Sequence, residues 1–278
     1  MFTRTRVVSA LVVGAVLTVG GVTVAQGSEV SDSSVPTIES AEKPAAPENG
    51  TCKKSFSSGA GVTRFAWCFG SEGAINQIEH SAGLEHTGVR EGFCIASDST
   101  INGVMPGGTS TSIGLRPPTY PSPTKVVHTT TDGVWRIEQT FAQTPATKSI
   151  TITMKITNTS STVRTQVNLL RFMDADMSNS ASDDQFWASS RSVVAIQPTI
   201  GLSLLSARLE LMPATTNVEA LHYIYTGFTP VLNSNCHNED SALTPSGSGD
   251  RAMGVNYGLG SVSPGASKTV QFVYRVTI

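Results

Sequence analysis

Acidic and imidazole side chains are concentrated in the segment IEHSAGLEHTGVREGFC, which begins at Ile78. If the chain on either side of Gly83 folds back on itself, a carboxylate and an imidazole could share a cleft and work as acid and base. The spacing matches no established metal or nucleophile motif, so the alternative is that these side chains order hairpin turns through hydrogen bonds and ion pairs. The weak catalytic candidates are Glu79, His80, Glu85, His86 and Glu91.

A second stretch, MDADMSNSASDDQFW, is rich in side-chain oxygens, the ligands that calcium prefers. It departs from an EF-hand loop, because Asn179 stands where glycine is needed and Gln185 where a bidentate glutamate is needed. Calcium is therefore a candidate cofactor, with a solvated acidic loop whose aspartates cap turns as the alternative. The candidate ligands are Asp174, Asp176, Asp183 and Asp184.

Two aromatic residues lie next to segments that we predict to be surface loops. Tyr120 lies in the Pro-dense stretch RPPTYPSPT, and Trp187 directly follows the acidic stretch. Either ring could stack on the flat apolar face of a sugar, and Trp187 could equally fill the core. Trp67 and Trp135 fall within strand-like runs, so we predict that both are buried.

Several functional classes lack support in the sequence. No GxSxG elbow, Walker motif, HExxH or dinucleotide fingerprint is present. The net charge of -2, with charged residues at 14%, disfavours a nucleic-acid partner.

The N-terminus has the three-part pattern of a secretory signal: Arg4 and Arg6, an apolar run, and small residues ending at Ala25. We therefore expect residues 1–25 to be a cleaved signal peptide, with no membrane span in the mature chain. The alternative is a membrane anchor, which the glycines and threonines within the apolar run disfavour. Residues 26–51 are rich in Ser, Glu, Pro and Ala, and we interpret them as a flexible linker or propeptide. The folded domain is then residues 52–278 of a secreted, extracellular protein.

The chain has four cysteines, an even number that suits disulfides in an oxidising compartment. Sequence allows three pairings, of which we favour Cys52 with Cys68 and Cys94 with Cys236. A zinc site is disfavoured because no CxxC or CxxH spacing occurs.

From Val62 onward, short alternating runs are separated by turn residues, which predicts an all-β fold with little helix. The clearest hairpin joins KVVHTTT to VWRIEQTFA through Asp132 and Gly133. In SITITMKITN the aliphatic residues share one face, and we predict that this run and VRTQVNLLRFMD are consecutive strands of one sheet. The expected architecture is a large, disulfide-stapled antiparallel β-sandwich of about twelve strands.

Residues 73–95 and the run VNLLRFMDADM at residues 167–177 resemble stretches of a set of secreted bacterial β-sandwich proteins, largely uncharacterised. The overall strand pattern is similar to the large supersandwich of galactose-mutarotase-like and related carbohydrate-active proteins. The resemblance implies a sandwich fold. The paired catalytic His and Glu of those proteins do not map onto particular positions here, so no catalytic residue is carried over.

The sequence thus favours a non-catalytic extracellular module that binds a glycan, a cell-wall polymer or a protein through its loops. The alternative is a carbohydrate-active enzyme with a cleft lined by His and Glu. A third interpretation is a surface-interaction protein without a small ligand. The sequence does not indicate an oligomeric state.

Overall fold

The computed structural model describes residues 52–80, 84–86, 89–98, 100–105, 111–175, 184–189, 191–197, 207–226, 236, 246–249 and 251–277. These residues form nineteen strands and two short 3-10 helices, Gly61–Thr63 and Pro145–Thr147. None of them belongs to a helix long and apolar enough to cross a membrane.

The strands form three antiparallel sheets. The first, in spatial order β1-β2-β3-β4, contains Lys54–Ser58 (β1), Phe65–Phe69 (β2), Ile75–His80 (β3) and Leu84–His86 (β4). The second, in order β16-β18-β12-β5-β6-β7, contains Val89–Ser97 (β5), Thr100–Met105 (β6), Thr111–Ile113 (β7), Arg164–Ala175 (β12), Ala220–Thr226 (β16) and Arg251–Val262 (β18). The third, in order β17-β13-β14-β15-β19-β11-β10-β9-β8, contains Thr119–Ser122 (β8), Lys125–Thr129 (β9), Trp135–Thr144 (β10), Ser149–Asn158 (β11), Gln185–Ala188 (β13), Val193–Gln197 (β14), Ala207–Pro213 (β15), Ser246–Ser248 (β17) and Ser267–Thr277 (β19).

The all-β prediction is confirmed, although the expected number of strands was too low. Several strands, among them β4, β7 and β17, are only three residues long. Three residues are too few to show an alternating pattern in the sequence.

The predicted Asp-Gly hairpin is present between β9 and β10. The two strands pair in antiparallel register from Arg136 opposite Thr129. Gly133 adopts a positive φ of 72°, a backbone conformation that glycine reaches without a steric penalty. The Asp132 carboxylate accepts hydrogen bonds from Thr130 Oγ1 and the Val134 backbone, which fixes the turn.

Strand β11 shows the predicted alternation, but its predicted pairing is wrong. Ile150, Ile152, Met154 and Ile156 are fully buried. The next strand, β12, lies in the six-stranded sheet instead of beside β11. The chain crosses between sheets after Asn158, whose amide nitrogen donates to the carbonyls of Thr162 and Val262 and so anchors the crossing.

The main core lies where the three sheets face one another. A single cluster of buried apolar side chains contains Phe65 from the first sheet, Leu169 from the second and Phe272 from the third. The six-stranded sheet is buried on both faces: a smaller cluster around Leu170 and Phe172 covers its other side. Along β12, residues 167–175 are consequently all buried.

Both favoured disulfides are confirmed. Cys52 pairs with Cys68, and Cys94 pairs with Cys236, with Cα atoms 5.6 Å and 6.0 Å apart, respectively. The second bridge ties residue 236 to β5, across 142 positions of sequence. Both Cys94 and Cys236 are buried in the smaller cluster on the six-stranded sheet.

Candidate functional site

Trp187 projects from the outer face of the nine-stranded sheet. Side chains alternate along a strand, so Phe186 on β13 points into the core and is 1% exposed, whereas Trp187 is 39% exposed. Among the described residues, Trp187 and Val163 are the large hydrophobic side chains that are exposed. Single exposed hydrophobic residues are common, so the surroundings of Trp187 decide whether it forms a site.

Trp187 borders a hollow of about 210 Å³ on this face. The backbone register places Trp187 opposite Val194, and Ile196 opposite Arg208. The hollow is lined by Trp187, Ser189, Ser192, Val194, Ile196 and Arg208. It therefore combines an apolar surface with hydroxyl and guanidinium groups, the mixture expected of a small-ligand site.

The hydroxyl groups are held by the turn between β13 and β14. Ser189 Oγ accepts hydrogen bonds from the backbone N–H groups of Arg191 (3.2 Å) and Ser192 (3.1 Å). Serine side chains commonly stabilise turns in this way. The geometry fixes the rim of the hollow before any ligand arrives.

A carboxylate lies beneath the arginine of the hollow. Glu210 follows Arg208 by two residues on β15, so both side chains lie on the outer face. Its Oε1 accepts from Arg208 Nη2 and from Ser192 Oγ (3.2 Å), and its Oε2 accepts from Arg275 Nε (3.0 Å). Burial opposes ionisation of Glu210, but the hydrogen bonds from Arg275 and Arg208 outweigh it and lower the pKa of this carboxyl group.

Tyr120, the other predicted aromatic site, lies far from Trp187. It is on the edge strand β8, not in a loop, because an edge strand tolerates the neighbouring Pro121. Seven strand spacings separate β8 from β13, about 34 Å at the usual distance between strands. Tyr120 is half-buried, its hydroxyl donates to the carbonyl of Ser71, and Lys53 Nζ lies 5.4 Å from its ring centre.

Glu79 lines a separate hollow of about 300 Å³ on the four-stranded sheet. Arg64 Nη2 lies 2.8 Å from Glu79 Oε2, and Gln77 Nε2 donates to Glu79 Oε1. The backbone register pairs Glu79 with Glu85, His80 with Leu84, and Ile78 with His86. The structure describes the backbone of His80, Glu85 and His86 but not their side chains, so their roles stay predictions.

Glu91 belongs to a polar cluster between the two large sheets. The side chains of Glu91 and Arg171 are both fully buried and form an ion pair, with Arg171 Nη2 2.9 Å from Glu91 Oε2. The backbone N–H of Ile75 (2.7 Å) and the hydroxyl of Tyr274 (3.0 Å) also donate to Glu91. Burial raises the pKa of Glu91, against the opposing charge of Arg171. In this position Glu91 connects the sheets and faces neither hollow.

The cluster continues through Gln139 to His128. Arg171 Nη1 donates to Gln139 Oε1 (2.7 Å), and His128 Nε2 lies 3.0 Å from the carbonyl oxygen of Glu72. His128 Nε2 also lies 3.4 Å from Gln139 Nε2, which joins the imidazole to the cluster. Burial lowers the pKa of His128 to about 4. Although His128 was not among the sequence candidates, it is the most strongly shifted histidine of the described residues.

Two of the four predicted calcium ligands lie within the described residues. Asp176 and Asp183 lie outside the described residues. Asp174, near the end of β12, and Asp184, just before β13, are both 1% exposed. Within the described ranges no group of three or more His, Cys, Asp or Glu side chains converges. Calcium binding stays a prediction.

The sequence analysis missed Arg208, Glu210 and Arg275. The pattern Arg-x-Glu within the alternating run ARLELMP does indicate two polar side chains on one strand face. The pairing of β15 with β14, which in turn pairs with β13, brings Arg208 near Trp187. The pairing of β15 with β19 places Glu210 opposite Arg275.

No protein-family model matches the chain, and no curated protein matches it significantly. Solved structures similar to the chain do exist. A bacterial glucoamylase complexed with acarbose has a TM-score of 0.56 at 10% identity, covering 84% of this chain and 34% of its own. The chain therefore spans about a third of the length of that enzyme, and the likeness shows the fold alone.

Two further structures are more distant. A polysaccharide lyase has a TM-score of 0.44 at 13% identity, covering 79% of this chain and 33% of its own. A Synechocystis protein has a TM-score of 0.39 at 7% identity, covering 85% of this chain and 99% of its own.

Proposed function

We propose that this chain is a secreted, non-catalytic module that binds a glycan through the hollow beside Trp187. The observation that carries the proposal is an exposed indole at the edge of a hollow whose polar side chains are already fixed by hydrogen bonds. An indole offers a large, rigid apolar surface on which the C–H face of a sugar ring can stack. Ser192, whose Oγ retains acceptor capacity, and Arg208 would hydrogen bond to the sugar hydroxyls around it, whereas Ser189 holds the turn.

Further features support the extracellular part of the proposal. Two disulfides suit an oxidising compartment, and the N-terminal pattern is typical of a secretory signal. N-terminal sequencing of the protein recovered from culture medium tests this part. We expect the mature chain to begin after Ala25; recovery of the intact N-terminus from inside the cell would contradict it.

The binding part is tested with a glycan array on the full mature chain, followed by titration calorimetry on the best glycan. Trp187→Ala should weaken binding by about tenfold or more, because the stacking surface is lost. Trp187→Phe should retain part of the affinity. Val163→Ala removes the other exposed large hydrophobic side chain of the described residues, which lies between β11 and β12, and should leave the glycan affinity unchanged. Unchanged binding in Trp187→Ala would overturn the proposal.

A second candidate function, a carbohydrate-active enzyme, is favoured by one observation. Glu79 lines the larger hollow and is opposite Glu85 in the backbone register, and glycosidases use two carboxyl groups. A release assay on polysaccharides tests it: Glu79→Gln should abolish release, and Glu138→Gln, at another arginine-paired carboxylate, should not. If the unmodified protein binds a glycan but releases no sugar from any polysaccharide, the enzyme is excluded and the binding module is retained.

A further inference from the structure

Resting on the proposed function, we infer that the glycan bound beside Trp187 is anionic, carrying carboxylate or sulfate groups. The inference starts from the charges around the hollow. Among the side chains that line it, Arg208 is the one that ionises. On the neighbouring strand β19, Arg275 lies opposite Glu210. The guanidinium groups of Arg208 and Arg275 both pair with the Glu210 carboxylate.

A third arginine lies on the turn beside the hollow. Arg191 is exposed on the turn that carries Ser189 and Ser192, and within the described part of the chain it makes no ion pair. Two guanidinium groups therefore pair with one buried carboxylate, and Arg191 adds a further positive charge on the turn beside the hollow. This local excess of positive charge contrasts with the net charge of -2 for the whole chain.

Arg208 retains donors that could serve a ligand. Within the described residues its Nη2 is bonded to Glu210, and its side chain remains 43% exposed. A guanidinium has five N–H donors in a fixed fork, so the pair with Glu210 leaves further donors available at its exposed end. That fork matches the paired oxygens of a carboxylate or sulfate, and both groups occur on acidic sugars.

The same sheet face carries a close counterpart that lacks the aromatic residue. On β10, Arg136 precedes Glu138 by two residues, and Lys125 from β9 supplies the second cation. The strand register aligns Arg136, through Thr157 of β11, with Ser267 at one end of β19, and it aligns Arg208 with Thr277 at the other end. These two positions on β19 are about 33 Å apart along the strand. Arg136→Gln is therefore a control that removes the same charge from the same face, away from the hollow.

The experiment uses matched glycan pairs with the full mature chain. Oligogalacturonate is compared with its fully methyl-esterified form, and dextran sulfate with dextran, by titration calorimetry at 50 mM and 300 mM NaCl. We expect the charged member of at least one pair to bind about tenfold more tightly, with affinity falling at high salt. The pair that shows the preference identifies carboxylate or sulfate as the recognised group.

The variants separate specific recognition from general charge attraction. Arg208→Gln should reduce affinity for the charged glycan about tenfold and affinity for the uncharged match by a clearly smaller factor, because the uncharged glycan loses a hydrogen bond but no charge pairing. Arg208→Lys keeps the charge without the fork, so its affinity for the charged glycan should lie between those of Arg208→Gln and the unmodified protein. If Arg208→Gln lowers the melting temperature, Arg191→Gln, at the exposed turn, replaces it. Arg136→Gln should leave the affinity for the charged glycan unchanged. If it lowers that affinity as much as Arg208→Gln does, the inference is overturned.

Failure of the inference differs from failure of the proposed function. Equal affinity for both members of each pair, with binding still lost in Trp187→Ala, overturns the anionic ligand and retains the glycan module. Binding of no probe in either pair, after a silent glycan array, overturns both.

Discussion

Two consecutive residues of β19 serve two different carboxylates on opposite faces of the sheet. Tyr274 points inward and donates to Glu91 Oε1 at 3.0 Å, and Arg275 points outward and donates to Glu210 Oε2 at 3.0 Å. Each carboxylate also pairs with an arginine, Arg171 inside and Arg208 outside. Strand alternation thus divides similar chemistry between an interior cluster and a surface cluster.

The two clusters differ in their exposure to solvent, and this difference shifts the pKa values of their carboxylates in opposite directions. Glu91 and Arg171 are fully buried, so the loss of hydration favours the neutral acid and raises the pKa of Glu91. At the surface, the arginines paired with Glu210 are about two-fifths exposed, and the pKa of Glu210 is lowered. We infer that the interior cluster holds the sheets together, whereas the surface cluster keeps its cations available.

The largest expected effect comes from breaking the interior pair. Arg171→Met leaves Glu91 buried without its cation and should lower the free energy of unfolding by about 3–5 kcal/mol. Urea denaturation measures the loss. The double variant Glu91→Gln with Arg171→Met should recover part of it, because no buried charge remains. A loss below about 1 kcal/mol for Arg171→Met would mean that the interior cluster does not hold the sheets.

His128 gives the interior cluster a dependence on pH between about 4 and 6.5. Its pKa is lowered from 6.5 to about 4, so between these values the unfolded chain takes up a proton that the folded chain does not. Stability should therefore fall as the pH drops from about 6.5 to 4, by about 3 kcal/mol in total. Denaturation at several pH values measures it, and His128→Gln should flatten that range. An NMR titration midpoint near 6.5 would contradict the prediction.

The two carboxylates should respond to pH with opposite signs. The raised pKa of Glu91 means that the folded chain binds a proton more readily, so its contribution to stability declines as pH rises above 4.5. The lowered pKa of Glu210 gives a contribution that is complete above 4.5 and is lost as pH falls through the folded-state value. Comparing the unmodified protein with Glu91→Gln and Glu210→Gln across pH 3–7 tests both signs. The same sign for both would remove the distinction between the clusters.

The sequence predicted the fold better than the clusters, for a physical reason. Alternation of aliphatic and polar residues shows which face of a strand is buried, as in β11, and it does so locally. Which strand lies beside which is decided by long-range pairing, and there the prediction that β11 and β12 share a sheet was wrong. Glu91 shows the same limit, because its partners Arg171 and Tyr274 are distant in sequence and meet it only after the sheets pack.

Trp187 illustrates what the sequence could supply for the candidate site. Its position after an acidic stretch left core and surface equally open, and the pairing of β13 with β14 places it outside. Arg208 and Arg275 carry no recognisable motif, since their proximity follows from the order β15-β19 in the sheet. A site built from cross-strand neighbours is invisible until that order is known.

The smallest expected effect belongs to the surface pair and tests whether its cations are available. A double-mutant cycle with Arg275→Gln and Glu210→Gln should give a coupling of about 0.2–1 kcal/mol, since exposed guanidinium groups remain hydrated and Arg208 can still pair with Glu210. The coupling should shrink between 50 mM and 300 mM NaCl, as expected for charges that salt can screen. A coupling above about 2 kcal/mol would instead place this pair with Glu91 and Arg171 as a structural element. Arg275 would then be committed to the fold, and a bound anion could recruit it only at the expense of stability.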